Sequence, residues 1–216
     1  MNKIKKLGKS VFNYQLYSEE LYSKESFIHY YQQIHHILKL KPYKILEIGP
    51  GDHTVADFLI RKGIEVKTFD NNKELFPDYF GDVRKIDITE QFDLILISEV
   101  LEHLDFKYFK DILERLSKLT KYIVISVPYA SIRLRFFAKG KISSDGGNII
   151  TGIPYFWKKP KIYDNNNFRV HHWAVGMKGY SRNKIKESIP KSLKIIEEKR
   201  YLKTNAYFLI LRRRNF

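Results

Sequence analysis

The sequence predicts an α/β fold in which a mostly parallel sheet carries helices on both faces. Three observations lead there. Strand-like and helix-like runs alternate between residues 44 and 127, and parallel strands need such crossover connections. The runs IEVKTF, DLILIS and YIVISV are rich in β-branched residues, as strands buried on both faces are. The run Ile45-Leu46-Glu47-Ile48-Gly49-Pro50-Gly51 ends in a glycine turn, and Asp70 closes the next apolar run.

The elements follow in order. Residues 1–41 read as a helical extension, with Phe27, Tyr30, Tyr31, Ile34, Ile37 and Leu38 at helical spacing on a face that packs against a core. Pro42 stops it. The core half, 42–130, begins with a strand at Lys44–Ile48, a helix at Thr54–Lys62 and a strand at Glu65–Asp70. A short turn or helix at Lys73–Tyr79 leads to strands at Tyr79–Val83 and Asp93–Ser98, a helix at Lys107–Leu119 and a strand at Tyr122–Val127. The segment 131–180 breaks the pattern with glycines, prolines, an Asn165–Asn167 tract and the aromatics Phe136, Phe137, Tyr155, Phe156, Trp157, Tyr163, Phe168 and Trp173. So long an insertion reads as a lid or binding loop, and its aromatic content argues against plain disorder. A helix at Arg182–Ile189, ended by Pro190, and two strand-like runs, Leu193–Arg200 and Ala206–Arg213, close the chain. No linker marks off a second domain, so residues 1–216 read as one.

The chain of 216 residues is long enough for a sizeable core. It has no apolar run near the roughly 18 residues that span a membrane. No apolar stretch follows the basic N-terminus, so no secretory signal is read there. The absence of cysteine excludes disulfides and thiolate zinc sites, and the cytoplasm is the expected location. Charge is uneven: residues 1–41 carry net +4, residues 42–130 net −4 and residues 131–216 net +15. A basic final third suits an anionic partner such as nucleic acid, a phosphate-bearing substrate or an acidic membrane surface, or is simply a solvated face.

The glycine turn suits a nucleoside ligand, because glycine lets the backbone approach without a side chain between. Two cofactor classes share the layout. A dinucleotide site wants a third glycine at 54, where this chain has Thr54. Glu47 would also lie near a pyrophosphate, where negative charge is unwelcome. S-adenosylmethionine brings an ammonium and a sulfonium and no phosphate, so Glu47 is welcome there. Asp70, nineteen residues beyond Gly51, is at the reach of a ribose contact. The sulfonium cofactor is the better fit.

Four stretches then carry a family resemblance: LEIGPGDHT (46–54), VKTFD (66–70), YFGDV (79–83) with FDLILISEVLEHL (92–104), and YIVISVPY (122–129). Across Lys44 to Tyr129 the chain resembles the class I S-adenosylmethionine-dependent methyltransferases, in particular the small ubiquinone-methyltransferase-like group. The resemblance implies a Rossmann-like seven-stranded sheet completed by a terminal antiparallel hairpin. It implies that Gly49 and Gly51 contact the cofactor backbone and that Glu47 faces its amino-acid end. Asp70, with Asn71 beside it, would take the ribose hydroxyls. Asp82 and the Val83 amide would hold the adenine edge, and Ser98 and Glu99 would line the methionine portion. Asp87 competes with Asp82, because the register between Val83 and Asp93 is open. One departure is His53, where the family often has a third glycine.

Methyl transfer needs in-line alignment and exclusion of water, and a general base only where the acceptor must lose a proton. His103, His171, His172 and Tyr129 are the candidates. Neighbouring residues in an extended stretch point to opposite sides, so at most one of His171 and His172 faces the substrate. No third ligand stands at matched spacing to them, so no metal is assigned. Most lid aromatics, Trp173 among them, are expected to pack. The reading is a methyltransferase acting on an O, N or C nucleophile of a small or lipid-like acceptor. RNA-directed methyl transfer and a non-catalytic cofactor-binding partner are the alternatives.

Overall fold

The computed structural model describes residues 23–130 and 171–214, and the backbone of 138–140 and 149–151. The rest of the N-terminal extension and most of the expected lid, with all its aromatics except Trp173 and Tyr180, lie outside the described residues. The elements are α1 (Lys24–Leu40), β1 (Lys44–Ile48), α2 (Thr54–Arg61), β2 (Glu65–Asp70), β3 (Tyr79–Phe80), β4 (Phe92–Ser98), α3 (Phe109–Ser117), β5 (Thr120–Pro128), β6 (Ala138–Gly140), β7 (Ile149–Thr151), α4 (Arg182–Glu187), β8 (Leu193–Tyr201) and β9 (Ala206–Arg213).

Seven strands form one sheet in the order β3-β2-β1-β4-β5-β9-β8. The pairs from β3 through β5 are parallel, with Ile48 beside both Phe69 and Ile97. β9 returns antiparallel against β5 and β8, forming the expected terminal hairpin. β6 and β7 pair antiparallel as a separate ribbon. The strand order reverses between β1 and β4, and in open α/β sheets that reversal marks where ligands bind.

The sheet divides the core into two layers. On one side Leu59, Val55 and Ile37 of the first two helices pack on Ile45, Leu94 and Phe208. On the other, Ile112, Leu113 and Leu116 of α3 pack with Trp173 and Ile185 on Ile95, Ile123 and Leu209. The central strands read as continuous apolar runs because both of their faces are covered.

Two expectations need correction. The helix 24–40 ends before Pro42 as expected, but its buried face is rotated from the apolar stripe. Phe27 and Tyr31 are 54% and 65% exposed, while Gln32, Gln33, His36 and Ile37 are buried. The polar residues are tolerated there because they have partners. His36 packs on the Phe208 ring at 5.1 Å and bonds the Tyr201 hydroxyl at 3.0 Å, and Thr204 donates to Gln32 at 2.9 Å. The strand expected over Tyr79–Val83 stops at Phe80. Asp82 accepts from the Arg84 backbone N–H at 2.9 Å and so starts a 3₁₀ turn over Val83–Lys85, a local bond that competes with the sheet ladder.

Candidate cofactor and acceptor site

The glycine turn leaves β1 at the strand-order reversal. Gly49 and Gly51 both take positive φ, +70° and +56°. Gly49 donates to the Phe69 carbonyl at 2.9 Å, and a Cβ built on it would stand 2.4 Å from Val100 Cγ2. Around Gly51 a Cβ would meet nothing within 4 Å. The two positions should therefore respond differently. Gly51→Ala costs only left-handed strain, about 1–2 kcal/mol. Gly49→Ala adds a clash that must displace the Val100 loop, and should lower the melting temperature further. Thermal unfolding of both variants checks this; equal losses would contradict it.

His53 adopts φ +63°, the left-handed conformation a glycine would take there. Its Nε2 lies 2.9 Å from the Leu75 carbonyl oxygen, which fixes the ring toward the segment after β2. Asp52 then accepts from the Thr54 amide and hydroxyl at 3.0 and 2.8 Å, starting α2. Thr54 thus serves as a helix-start residue where a dinucleotide site would place its third glycine.

Glu47 lies beneath this turn. It is buried, and its Oε2 has no hydrogen-bond partner. Burial, with Asp52 and Asp57 nearby, raises its pKa from 4.5 to about 8, against the Ala56 backbone N–H, which favours the charge. A folded-state pKa above the unfolded one means that the fold holds the proton more tightly. The stability this contributes is present below pH 4.5, falls as pH rises toward about 8 and is gone above it. Glu47→Gln should therefore melt above wild type at pH 8.5 and close to it at pH 4. A difference that does not grow with pH would refute the assignment.

Asp70 ends β2, half-buried, and accepts from the Asn72 amide at 2.7 Å. Burial raises its proton affinity, opposed by the Asn72 and Asn71 backbone N–H groups. Asp82 lies two residues beyond β3, with its carboxylate gripped by the Arg84 guanidinium, which lowers its pKa. The Arg84 guanidinium in turn lies 5.4 Å from the Tyr108 ring centre. Val83 turns its side chain into the core, and Asp87 is exposed beyond the turn.

At the end of β4, Ser98 and Ser126 share a hydrogen bond of 2.7 Å, and His29 Nε2 lies 3.2 Å from both hydroxyls. Ser126 donates to Glu99 at 3.1 Å. Glu99 takes φ +52°, a strained backbone for a glutamate and the kind found at functional sites. Burial lowers the His29 pKa, opposed by Glu99, so the ring is neutral near pH 7.

His103 and His171 meet with rings 4.9 Å apart at 73°, beside the buried Glu102. His172 turns the other way, with Nδ1 2.9 Å from an Asp105 carboxylate oxygen. The two neighbours therefore separate as the alternation predicts. Tyr129 packs elsewhere: the Arg200 guanidinium covers its ring at 3.9 Å, and the Tyr207 ring centre lies 6.1 Å away. Sequence reasoning misses His29, Ser126 and Glu102. A polar stripe of His29, Gln32, Gln33 and His36 at helical spacing was the available signal for the first.

The model of the methyltransferase domain family matches residues 21–174. No curated protein matches the chain in sequence. Among solved structures, the fold is similar to an S-adenosylmethionine-dependent methyltransferase from Clostridium acetobutylicum ATCC 824. The TM-score is 0.61 at 12% identity, covering 92% of this chain and 96% of that one. The N-methyltransferase NodS from Bradyrhizobium japonicum WM9, in complex with S-adenosyl-L-homocysteine, matches with TM-score 0.53 at 13% identity, covering 88% of each chain. An rRNA methylase from Escherichia coli matches with TM-score 0.55 at 15% identity over 88% of this chain, which spans only 66% of that one. At such identities the structures establish a shared fold, while the family model covers well over half of the sequence. The chain belongs to the methyltransferase domain family.

Proposed function

We propose that the chain transfers the methyl group of S-adenosylmethionine to a nucleophilic atom of a small or lipid-like acceptor. The observation that carries this is Glu47, a buried carboxyl with an unpartnered oxygen beneath a glycine turn. Burying such a group without a donor is costly. A ligand ammonium would supply the missing partner, and a phosphate would be repelled. In this reading Gly49 and Gly51 lie against the cofactor backbone, and Asp70 with Asn71 takes the ribose hydroxyls. Asp82 and Val83 border the adenine, and Ser98 and Glu99 border the methionine portion. Asp82 enters this set with its carboxylate already shared with Arg84, so it offers the adenine amino group only a remaining lone pair.

The acceptor then approaches from the side of Glu99, His103 and His171. The domain limits read from the sequence, with 42–130 as the cofactor half and 181–216 as the closing helix and hairpin, are part of the same reading. His171 is favoured as the proton acceptor: burial lowers its pKa, opposed by Glu99, so the imidazole is neutral near pH 7. His103 is the second choice. Tyr129, under Arg200, and His172, held by Asp105, are less suited. Among the described residues no helix is long and apolar enough to cross a membrane.

RNA as acceptor is a second reading, favoured by the net +15 of residues 131–216. RNA affinity that does not fall with added salt would contradict it.

Calorimetric titration with S-adenosylmethionine tests the main reading. One site per chain, displaced by S-adenosylhomocysteine, is expected, with methyl label appearing in an acceptor from a metabolite and lipid panel. A chain that binds neither nucleoside overturns it, and supports instead a protein that has kept the fold without the reaction.

A further inference from the structure

The 3₁₀ turn Leu101–His103 follows β4 at the mouth of the site. Glu102 in that turn is 0% exposed, and neither carboxyl oxygen has a hydrogen-bond partner. His103 Nε2 and His171 Nε2 each lie 3.9 Å from Oε1. One ligand atom from each of the three residues lies within 4.8 Å of the others. Glu99 is close enough to disfavour the Glu102 charge further. Glu102 thus sits beside a second carboxyl group with no donor of its own, and it is accommodated there by keeping a proton or by gaining a cation.

The arrangement is held from both sides. The His103 amide donates to the Val100 carbonyl at 3.1 Å. The His172 amide donates to the Glu102 carbonyl at 2.8 Å, and the Trp173 indole N–H donates to the Leu104 carbonyl at 3.1 Å. His171 is therefore pinned against the turn although it is distant in sequence. Metal–ligand bonds of about 2.0–2.2 Å set neighbouring donor atoms about 3–4 Å apart, close to the spacing already present. Imidazole with carboxylate is a donor set for first-row divalent ions, and the absence of thiolate disfavours soft ones.

We propose that Glu102, His103 and His171 form a binding site for a divalent first-row transition ion such as zinc or manganese. His103 and His171 are partly exposed, so the ion faces the acceptor side and keeps an open position, as catalytic metal sites do. Its role rests on the methyl-transfer reading and sharpens it to a hydroxyl acceptor. With the ion bound, His103 and His171 would serve as its ligands in place of the proton-accepting role, and a hydroxyl oxygen held on the ion would release its proton to water. Its lone pair forms the new O–CH3 bond as the S–CH3 bond breaks, and that bonding pair remains on sulfur. The sulfonium becomes the neutral thioether of S-adenosylhomocysteine.

The test is equilibrium dialysis of chelator-treated full-length protein against Zn²⁺ or Mn²⁺, followed by elemental analysis. Wild type should hold one ion per chain and melt at a higher temperature with it. His171→Ala and Glu102→Gln should each weaken binding at least tenfold. His171→Ala, being partly exposed, is the variant least able to disturb the fold, and unchanged circular dichroism verifies that. Fractional binding by wild type, or full retention by the His103→Ala/His171→Ala pair, overturns the site. Failure of wild type to bind S-adenosylmethionine while the ion binds would remove the methyl-transfer reading and leave the site standing.

Discussion

Asp70→Ala should weaken S-adenosylmethionine binding by about 10²–10⁴-fold, since a carboxylate paired to two ribose hydroxyls makes two charge-assisted hydrogen bonds of roughly 1.5–3 kcal/mol each. Little of that loss would come from damage to the fold. Asp70 ends an inner strand, flanked by β1 and β3, and its recorded local bond is the one from the Asn72 amide, whose loss costs about 1 kcal/mol. Asp70→Asn keeps an acceptor for Asn72 and removes the charge, so it should melt near wild type and bind at an intermediate level. Calorimetry and thermal unfolding on the same preparations separate the two effects. Binding by Asp70→Ala within threefold of wild type would remove Asp70 from the ribose.

The parts legible in the sequence share a cause. β1, β4 and β5 are buried on both faces, so each is a largely apolar run, and the ends of β1, β2 and β4 are marked by Glu47, Asp70 and Ser98. Local chemistry fixes those positions, and a linear reading finds them. The face of α1 was not legible, because which stripe is buried depends on Phe208, Tyr201 and Thr204, far along the chain. β3 was read too long for a similar reason: the contact between Asp82 and Arg84 outweighs the β-propensity of a short run. The cluster of Glu102, His103 and His171 shows the limit most clearly. The sequence points to His103 and not to Glu102, since a glutamate in a polar turn reads as solvated. It is buried because the segment after the insertion returns across it, and no spacing rule links residues 102 and 171.

That return is anchored by Trp173, and Trp173→Ala should destabilise the protein by about 3–5 kcal/mol, the range for removing a large aromatic from a packed core. The side chain is fully buried. Its ring meets Phe106, Phe109 and Tyr180 at centroid distances of 5.0, 5.7 and 6.1 Å. Its indole N–H satisfies the Leu104 carbonyl, so truncation leaves both a cavity and a carbonyl without that donor. Trp173→Phe keeps most of the apolar contact and loses the donor, and should cost about 1–2 kcal/mol more than a volume-conserving swap elsewhere in the core. Denaturant unfolding measures both. Because His171 lies two residues before this anchor and leans on the same turn, Trp173→Ala should also loosen the pairing of His171 with His103. A faster amide exchange at His172, whose N–H is held by Glu102, is the expected signature under conditions where the variant remains folded. If Trp173→Ala costs less than about 1 kcal/mol, the indole is not the anchor, and the geometry of the Glu102 cluster must be held by another contact.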